Sequence, residues 1–155
     1  MIECINGVFG LHGDGFSCLL RVNEYGLLEQ LHFGAPVRTE DWPAFCCRPG
    51  LGWGASVLLR DGDTASCADA LPLAWSGSGR GDYRESPLET GRATDFRYDG
   101  HIILDGIVPM TSGLPQAQGD AQSLVITLAQ PGLELRLIFS VFGGVLTRRV
   151  CLENT

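Results

Sequence analysis

Apolar and polar residues alternate with period two along Leu133–Phe142. Leu133, Leu135, Leu137, Phe139 and Val141 share one face, and Glu134, Arg136 and Ser140 the other. Alternation of this length predicts a half-buried strand. Gly143-Gly144 follows, a dipeptide that accepts the positive φ of a tight hairpin turn. Val145–Glu153 then reads as the return strand. Upstream, Ser123–Leu128 ends at the turn signal Pro131-Gly132, so the three segments predict an antiparallel meander.

Earlier segments are shorter. Phe16–Val22 leads into the turn Asn23-Glu24-Tyr25-Gly26, and Leu27–Phe33 is expected to pair back. Ser56–Arg60 reads as a weak strand before Asp61-Gly62-Asp63. Phe96–Tyr98 and His101–Leu104 flank Asp99-Gly100, a short-loop hairpin signal. No window has helical spacing free of Gly or Pro. The fold class is therefore all-β, an antiparallel β-sandwich. Two stretches, Glu40–Trp53 and Cys67–Glu89, lack periodicity and collect Gly, Pro, Ser and aromatics, the usual composition of functional or interfacial loops. The chain stops just after a strand, which predicts an open sheet edge and a natural domain that continues.

Composition narrows the function. The 155 residues carry 11 basic and 18 acidic side chains, a formal net charge of −7, and every basic residue is arginine. An acidic chain without clustered cations is a poor nucleic-acid binder. The absence of lysine excludes Schiff-base catalysis and a Walker-type phosphate loop. No apolar run reaches the ~20 residues of a membrane span, and the first residues lack a leader pattern, so a cytoplasmic location is expected. Six cysteines without a CxxC pair are then expected to be reduced thiols, mostly buried.

Candidate chemistry is sparse. Asp82 and Glu85 are spaced to act as acid and base in glycoside cleavage, or as turn carboxylates accepting backbone N–H bonds; spacing alone favours the turn. His12, His32 and His101 lack ligand spacing with one another, so no metal and no cofactor are expected. Arg80-Gly81-Asp82 is too short to indicate cell adhesion. Trp42, Trp53, Trp75 and Tyr83 lie in the irregular stretches. Aromatics there are expected either to stack on sugars or contact a partner, or to pack beneath the loops.

A longer pattern then emerges. Gly79–Glu89 resembles the G-x-G-D-Y-R-x-P signature of the bacterial α-galactosidases of glycoside hydrolase family 36. In order, Phe96–Ile103, Gly106–Pro115, Ser123–Leu128 and Val145–Thr155 resemble later blocks of that family, and Leu31–Gly34 an earlier one. The resemblance implies a β-supersandwich like that of galactose mutarotases, here expected to be incomplete. It implies a non-catalytic N-terminal part of an enzyme that cleaves terminal α-galactosides such as melibiose or raffinose. A catalytic barrel needs ~250 residues, so the nucleophile and acid/base are expected outside this sequence. Implied partners are the remainder of the α-galactosidase polypeptide, further copies in a homo-oligomer, and α-galactosides. Asp82, Tyr83 and Arg84 match the motif and become candidates for interface or site-bordering roles, with Trp42 and Trp53 beside them. Glu40–Cys67 departs most from the family pattern. A free-standing carbohydrate-binding or structural module is the alternative.

Overall fold

The computed structural model describes residues 1–48, 57–63, 66–110, 113 and 115–155. Among the described residues, eight strands form two four-stranded antiparallel meanders. The first joins Ile2–Ile5 (β1), Val8–Gly13 (β2), Phe16–Val22 (β3) and Leu28–Gly34 (β4); the second joins Arg97–Asp105 (β5), Gln122–Gln130 (β6), Leu133–Phe142 (β7) and Val145–Asn154 (β8). Two-residue turns set the registers. Asn6-Gly7, both at positive φ, joins Ile5 to Val8, and Pro131-Gly132 joins Gln130 to Leu133. Positive φ at both central residues matches hairpin twist in the first case. Proline followed by positive-φ glycine suits the second.

The core lies between the sheets. Leu135, Leu137, Phe139 and Val141 of β7 and Leu124, Ile126 and Leu128 of β6 meet Phe9, Leu11, Cys18, Leu20 and Leu28 of the first sheet. The antiparallel sandwich read from the alternation is thus present, with its C-terminal meander in the expected place. The expected turn at 23–26 is also formed. Asn23 Oδ1 accepts the backbone N–H groups of Tyr25 and Leu27, both at 3.0 Å.

Three expectations change. Asp99-Gly100 is no hairpin loop. It lies inside the continuous strand β5, where the register with β6 shifts between Tyr98 and Gly100, so the dipeptide accommodates a bulge. Residues 57–60 of the expected weak strand Ser56–Arg60 are not a strand; Leu59 N–H reaches Ser66 O at 3.5 Å, and the chain turns at once with Asp63 N–H on Arg60 O. Ser56 lies outside the described residues. The cysteines are not mostly buried. Cys18 and Cys67 are, but Cys4, Cys47 and Cys151 are exposed and Cys46 is half-buried, all of them free thiols. Cys4 and Cys151 sit on β1 and β8, the edge strands where coverage is poorest.

The outer face of the first sheet is covered as well. Val8 and Leu19 are fully buried although they alternate with core residues. A 3-10 helix, Thr39–Phe45, packs against β1, β2 and β4 on this side. A second segment guards the β4 edge: Gln30 N–H donates to Pro72 O at 2.7 Å and Ala74 N–H to Leu28 O at 2.8 Å.

Candidate functional site

The motif-bearing turn is built on left-handed backbone. Gly79, Arg80 and Gly81 all have positive φ, and Gly79 bridges to Asp82. Glycine suits two of these positions, while Arg80 at φ 54° is held there by its flanks. A side chain at Gly81 would place its Cβ 2.7 Å from Val57 Cβ. Arg80 projects outward and pairs with Asp95 at 3.2 Å.

Past the turn, side chains alternate between inward and outward. Asp82 is 7% exposed. Its Oδ1 accepts Arg84 Nε at 2.9 Å and its Oδ2 accepts Arg84 Nη2 at 3.1 Å, a bidentate fork. Arg84 also donates to Leu71 O and Ala68 O, both at 2.8 Å. Asp82 and Arg84 therefore clamp the turn to the 68–71 segment. Between them Tyr83 stands 70% exposed, its backbone fixed on both sides. Glu85 is exposed, so the carboxylates of the Asp82/Glu85 pair sit in different environments, one locked by arginine and the other in water.

Trp42 lies on the covering 3-10 helix, half-buried, with the Arg21 guanidinium carbon 4.8 Å from its ring centroid. Trp53 lies outside the described residues. Trp75 packs edge-on against the buried Phe96, ring centroids 6.4 Å apart, and belongs to the packing beneath the loops. Among the described residues no hydrogen bond, ion pair or ring contact joins Trp42 to residues 82–84, so the sequence candidates form two patches. They share a mount, because residues 68–74 carry the Arg84 clamp and also the bonds to β4.

Beneath Trp42 lies a cluster that the alternation pattern concealed. Glu29, fully buried on β4, accepts Arg48 Nη2 on both oxygens at 2.7 and 2.9 Å and Asn23 Nδ2 at 2.9 Å. Arg21 Nη1 stands 3.5 Å from its other side. Burial lowers the Arg48 pKa, but the hydrogen bond and charge of Glu29 outweigh it, and the guanidinium ends above its usual value. In sequence Glu29 is one polar position of an amphipathic strand, which reads as solvent-facing. Arg48, Arg21 and Asn23, with the bridge from Leu73, make it interior. The histidines are likewise structural donors and acceptors: His12 bridges Ser17 and Thr39, each at 2.9 Å, and His32 meets Ala35 O at 2.9 Å. Among the described residues no group of three or more His, Cys, Asp or Glu is placed to hold a metal ion, and no helix is long and apolar enough to cross a membrane.

Residues 26–155 match the Glycosyl hydrolase family 36 N-terminal domain. The chain belongs to this family. The α-galactosidase Mel36A of Lactobacillus acidophilus is 30% identical over 164 aligned positions, covering 96% of this chain and 22% of its own length. The galactosidase domain of the α-galactosidase/sucrose kinase AgaSK, from Mediterraneibacter gnavus, superposes over 100% of this chain and 23% of that one, with a TM-score of 0.88 at 27% identity. A variant of the family 36 α-galactosidase AgaA of Geobacillus stearothermophilus, solved with raffinose, superposes over 95% of this chain and 22% of that one, with a TM-score of 0.81 at 27% identity. The family 36 chain thus spans about a fifth of the length of these relatives. Its two four-stranded sheets are the architecture that the family resemblance implied.

Proposed function

We propose that this family 36 chain is the non-catalytic N-terminal part of an α-galactosidase. Residues 1–155 would form the first portion of its supersandwich. Hydrolysis of terminal α-galactosides, melibiose and raffinose among them, would fall to a barrel elsewhere in a longer polypeptide. The carrying observation is the match over residues 26–155 to a domain that is about a fifth of each relative. Asp82, one half of the Asp82/Glu85 pair, is held by Arg84 on both oxygens.

The chain's role is to support assembly and to border the sugar site of a homo-oligomeric, cytoplasmic enzyme. Asp82 and Arg84 brace the turn, Tyr83 makes the contact, Trp42 supplies the second aromatic surface, and Trp53 is a further candidate contact. A rigidly held tyrosine offers contact area at low entropic cost. The purified 155-residue chain is expected to leave p-nitrophenyl α-galactoside unhydrolysed, while a polypeptide joining it to a family 36 barrel cleaves it; turnover by the short chain would overturn the reading. The exposure of Tyr83 also favours a second reading, a free-standing carbohydrate-binding module. Calorimetry separates the two: heat from millimolar galactose, melibiose or raffinose on the chain alone supports the module.

A further inference from the structure

The Thr39–Phe45 helix has little to hold it in place by itself. It is a 3-10 helix with Pro43 inside and no side-chain bond at its N-cap Arg38. Such helices have poorer hydrogen-bond geometry than α-helices and rarely persist on local bonds. At its ends Asp41 N–H reaches Arg38 O at 3.2 Å, Cys46 N–H reaches Pro43 O at 3.3 Å and Cys47 N–H reaches Phe45 O at 3.1 Å. Its conformation therefore depends on tertiary anchors.

Those anchors are identifiable. At the N-terminal end Thr39 Oγ1 donates to Glu3 Oε1 at 2.5 Å and meets His12 Nε2 at 2.9 Å. At the last residue of the helix the Phe45 ring lies 4.8 Å from that of His32. Just before the helix, Val37 exchanges hydrogen bonds with Ser17 Oγ at 3.0 and 3.1 Å. At the C-terminal end two arginines converge on one buried carboxylate. Arg48, just past the helix, donates to both oxygens of Glu29. Arg21, 3.5 Å from Glu29, donates through Nη1 to Cys46 Sγ at 3.2 Å, through Nη2 to Glu24 at 3.2 Å, and lies over the Trp42 ring. Two guanidinium groups between the sheet and the helix thus share one carboxylate with no solvent exposure, and Arg21 has Glu24 besides.

We propose that Glu29 is a positioning residue: its buried carboxylate, acting through Arg21 and Arg48, holds the Thr39–Arg48 segment and the Trp42 indole in place. The functional meaning rests on the reading above, in which this surface borders the sugar site. Glu29 lies outside the hydrophobic cluster between the sheets, so its loss loosens the segment and leaves the sandwich formed. Removing the anion takes the carboxylate from Arg48 and leaves Arg21 with Glu24, a change that buried ion pairs tolerate poorly. Glu29→Gln keeps the shape but turns an acceptor of guanidinium N–H groups into a partial donor.

The thiols report the outcome. Cys46 is half-buried beneath Arg21, and Cys18 is buried in the core on β3. Iodoacetamide labelling of the 155-residue chain, read peptide by peptide, is expected to be at least tenfold faster at Cys46 in Glu29→Gln and in Arg48→Met, with Cys18 as protected as before. Glu29→Asp restores part of the protection. Unchanged Cys46 labelling in both Gln and Met variants overturns the proposal, and so does Cys18 rising in step with Cys46, which marks general unfolding. In a polypeptide joining this chain to a family 36 barrel, Glu29→Gln is expected to raise KM for raffinose severalfold with kcat held, and Glu29→Asp to recover it. A loosened Cys46 with unchanged KM leaves the positioning role standing and overturns the sugar-bordering reading.

Discussion

Burial has different consequences for single side chains according to what meets them. Asp82 is buried against a bidentate arginine that takes both of its carboxylate oxygens. Cys18 is buried among apolar groups, 1% exposed, and desolvation pushes its thiol from the ordinary 9.0 up to about 11, against the opposing charge of Arg148. The folded chain therefore keeps this proton where the unfolded chain releases it. Stability from Cys18 is complete below pH 9 and declines as pH rises toward 11, because the unfolded state then binds fewer protons. A gap of about two units corresponds to ~2–3 kcal/mol. Urea unfolding of the chain and of Cys18→Ala, under reducing conditions from pH 8 to 11, is expected to show the parent falling more steeply, so that the difference between them narrows. Parallel curves would refute this account of Cys18.

At the scale of elements, glycine decides what docks. Gly10 is in the middle of β2 with an ordinary strand φ, and a Cβ there would strike Thr39 Oγ1 and stand 2.5 Å from His12 Nε2. The missing side chain is what lets Thr39 reach His12 and Glu3 and seat the covering helix. Gly10→Ala is expected to destabilise the chain by ~1–3 kcal/mol through overpacking. Its cost and that of Thr39→Ala should be non-additive in a double-mutant cycle, because the two share one contact; simple additivity would contradict the shared seat. The same dipeptides explain which elements were legible. Alternation in β6–β8 marks strands with one face on the core, while β3 and β4, buried on both faces at Leu19 and Glu29, are marked by the turn at 23–26 between them. Val8-Phe9-Gly10-Leu11 in β2 is covered on both faces, so apolar residues run on without alternation and the strand carries no period-two signal. Its flanking turns, Asn6-Gly7 and Asp14-Gly15, carried a signal of the same kind as Asp99-Gly100. Asp-Gly serves a hairpin at 14–15 and a bulge at 99–100, and only the pairing partners decide between them. The motif turn was legible because its chemistry is local. Glu29 was not, because its partners Arg21 and Arg48 converge through tertiary packing.

For the whole molecule the question is where the shared core ends. The sheets meet with β2 against β7 and β1 against β6. β8 continues the second sheet beyond this contact. Near its start the inner face is engaged: Leu146 packs on the core, and Arg148 lies over the Phe139 ring and donates to Ala74 O at 2.6 Å. Farther on, Val150 and Leu152 point the same way but are 42% and 46% exposed, although their cross-strand neighbours Leu137 and Leu135 are fully buried. Leu135 and Leu152 therefore form a matched pair, directly opposite each other and differing in coverage. Leu135→Ala is expected to cost ~2–5 kcal/mol, the range for deleting a buried leucine side chain, and Leu152→Ala less than ~1 kcal/mol, as for a surface change. Urea unfolding of both variants at low chain concentration measures the difference. Equal costs would mean that the inner face of β8 is covered in solution. Repeating the measurement across a hundredfold range of concentration then separates coverage by a second copy, which depends on concentration, from coverage within the chain, which does not.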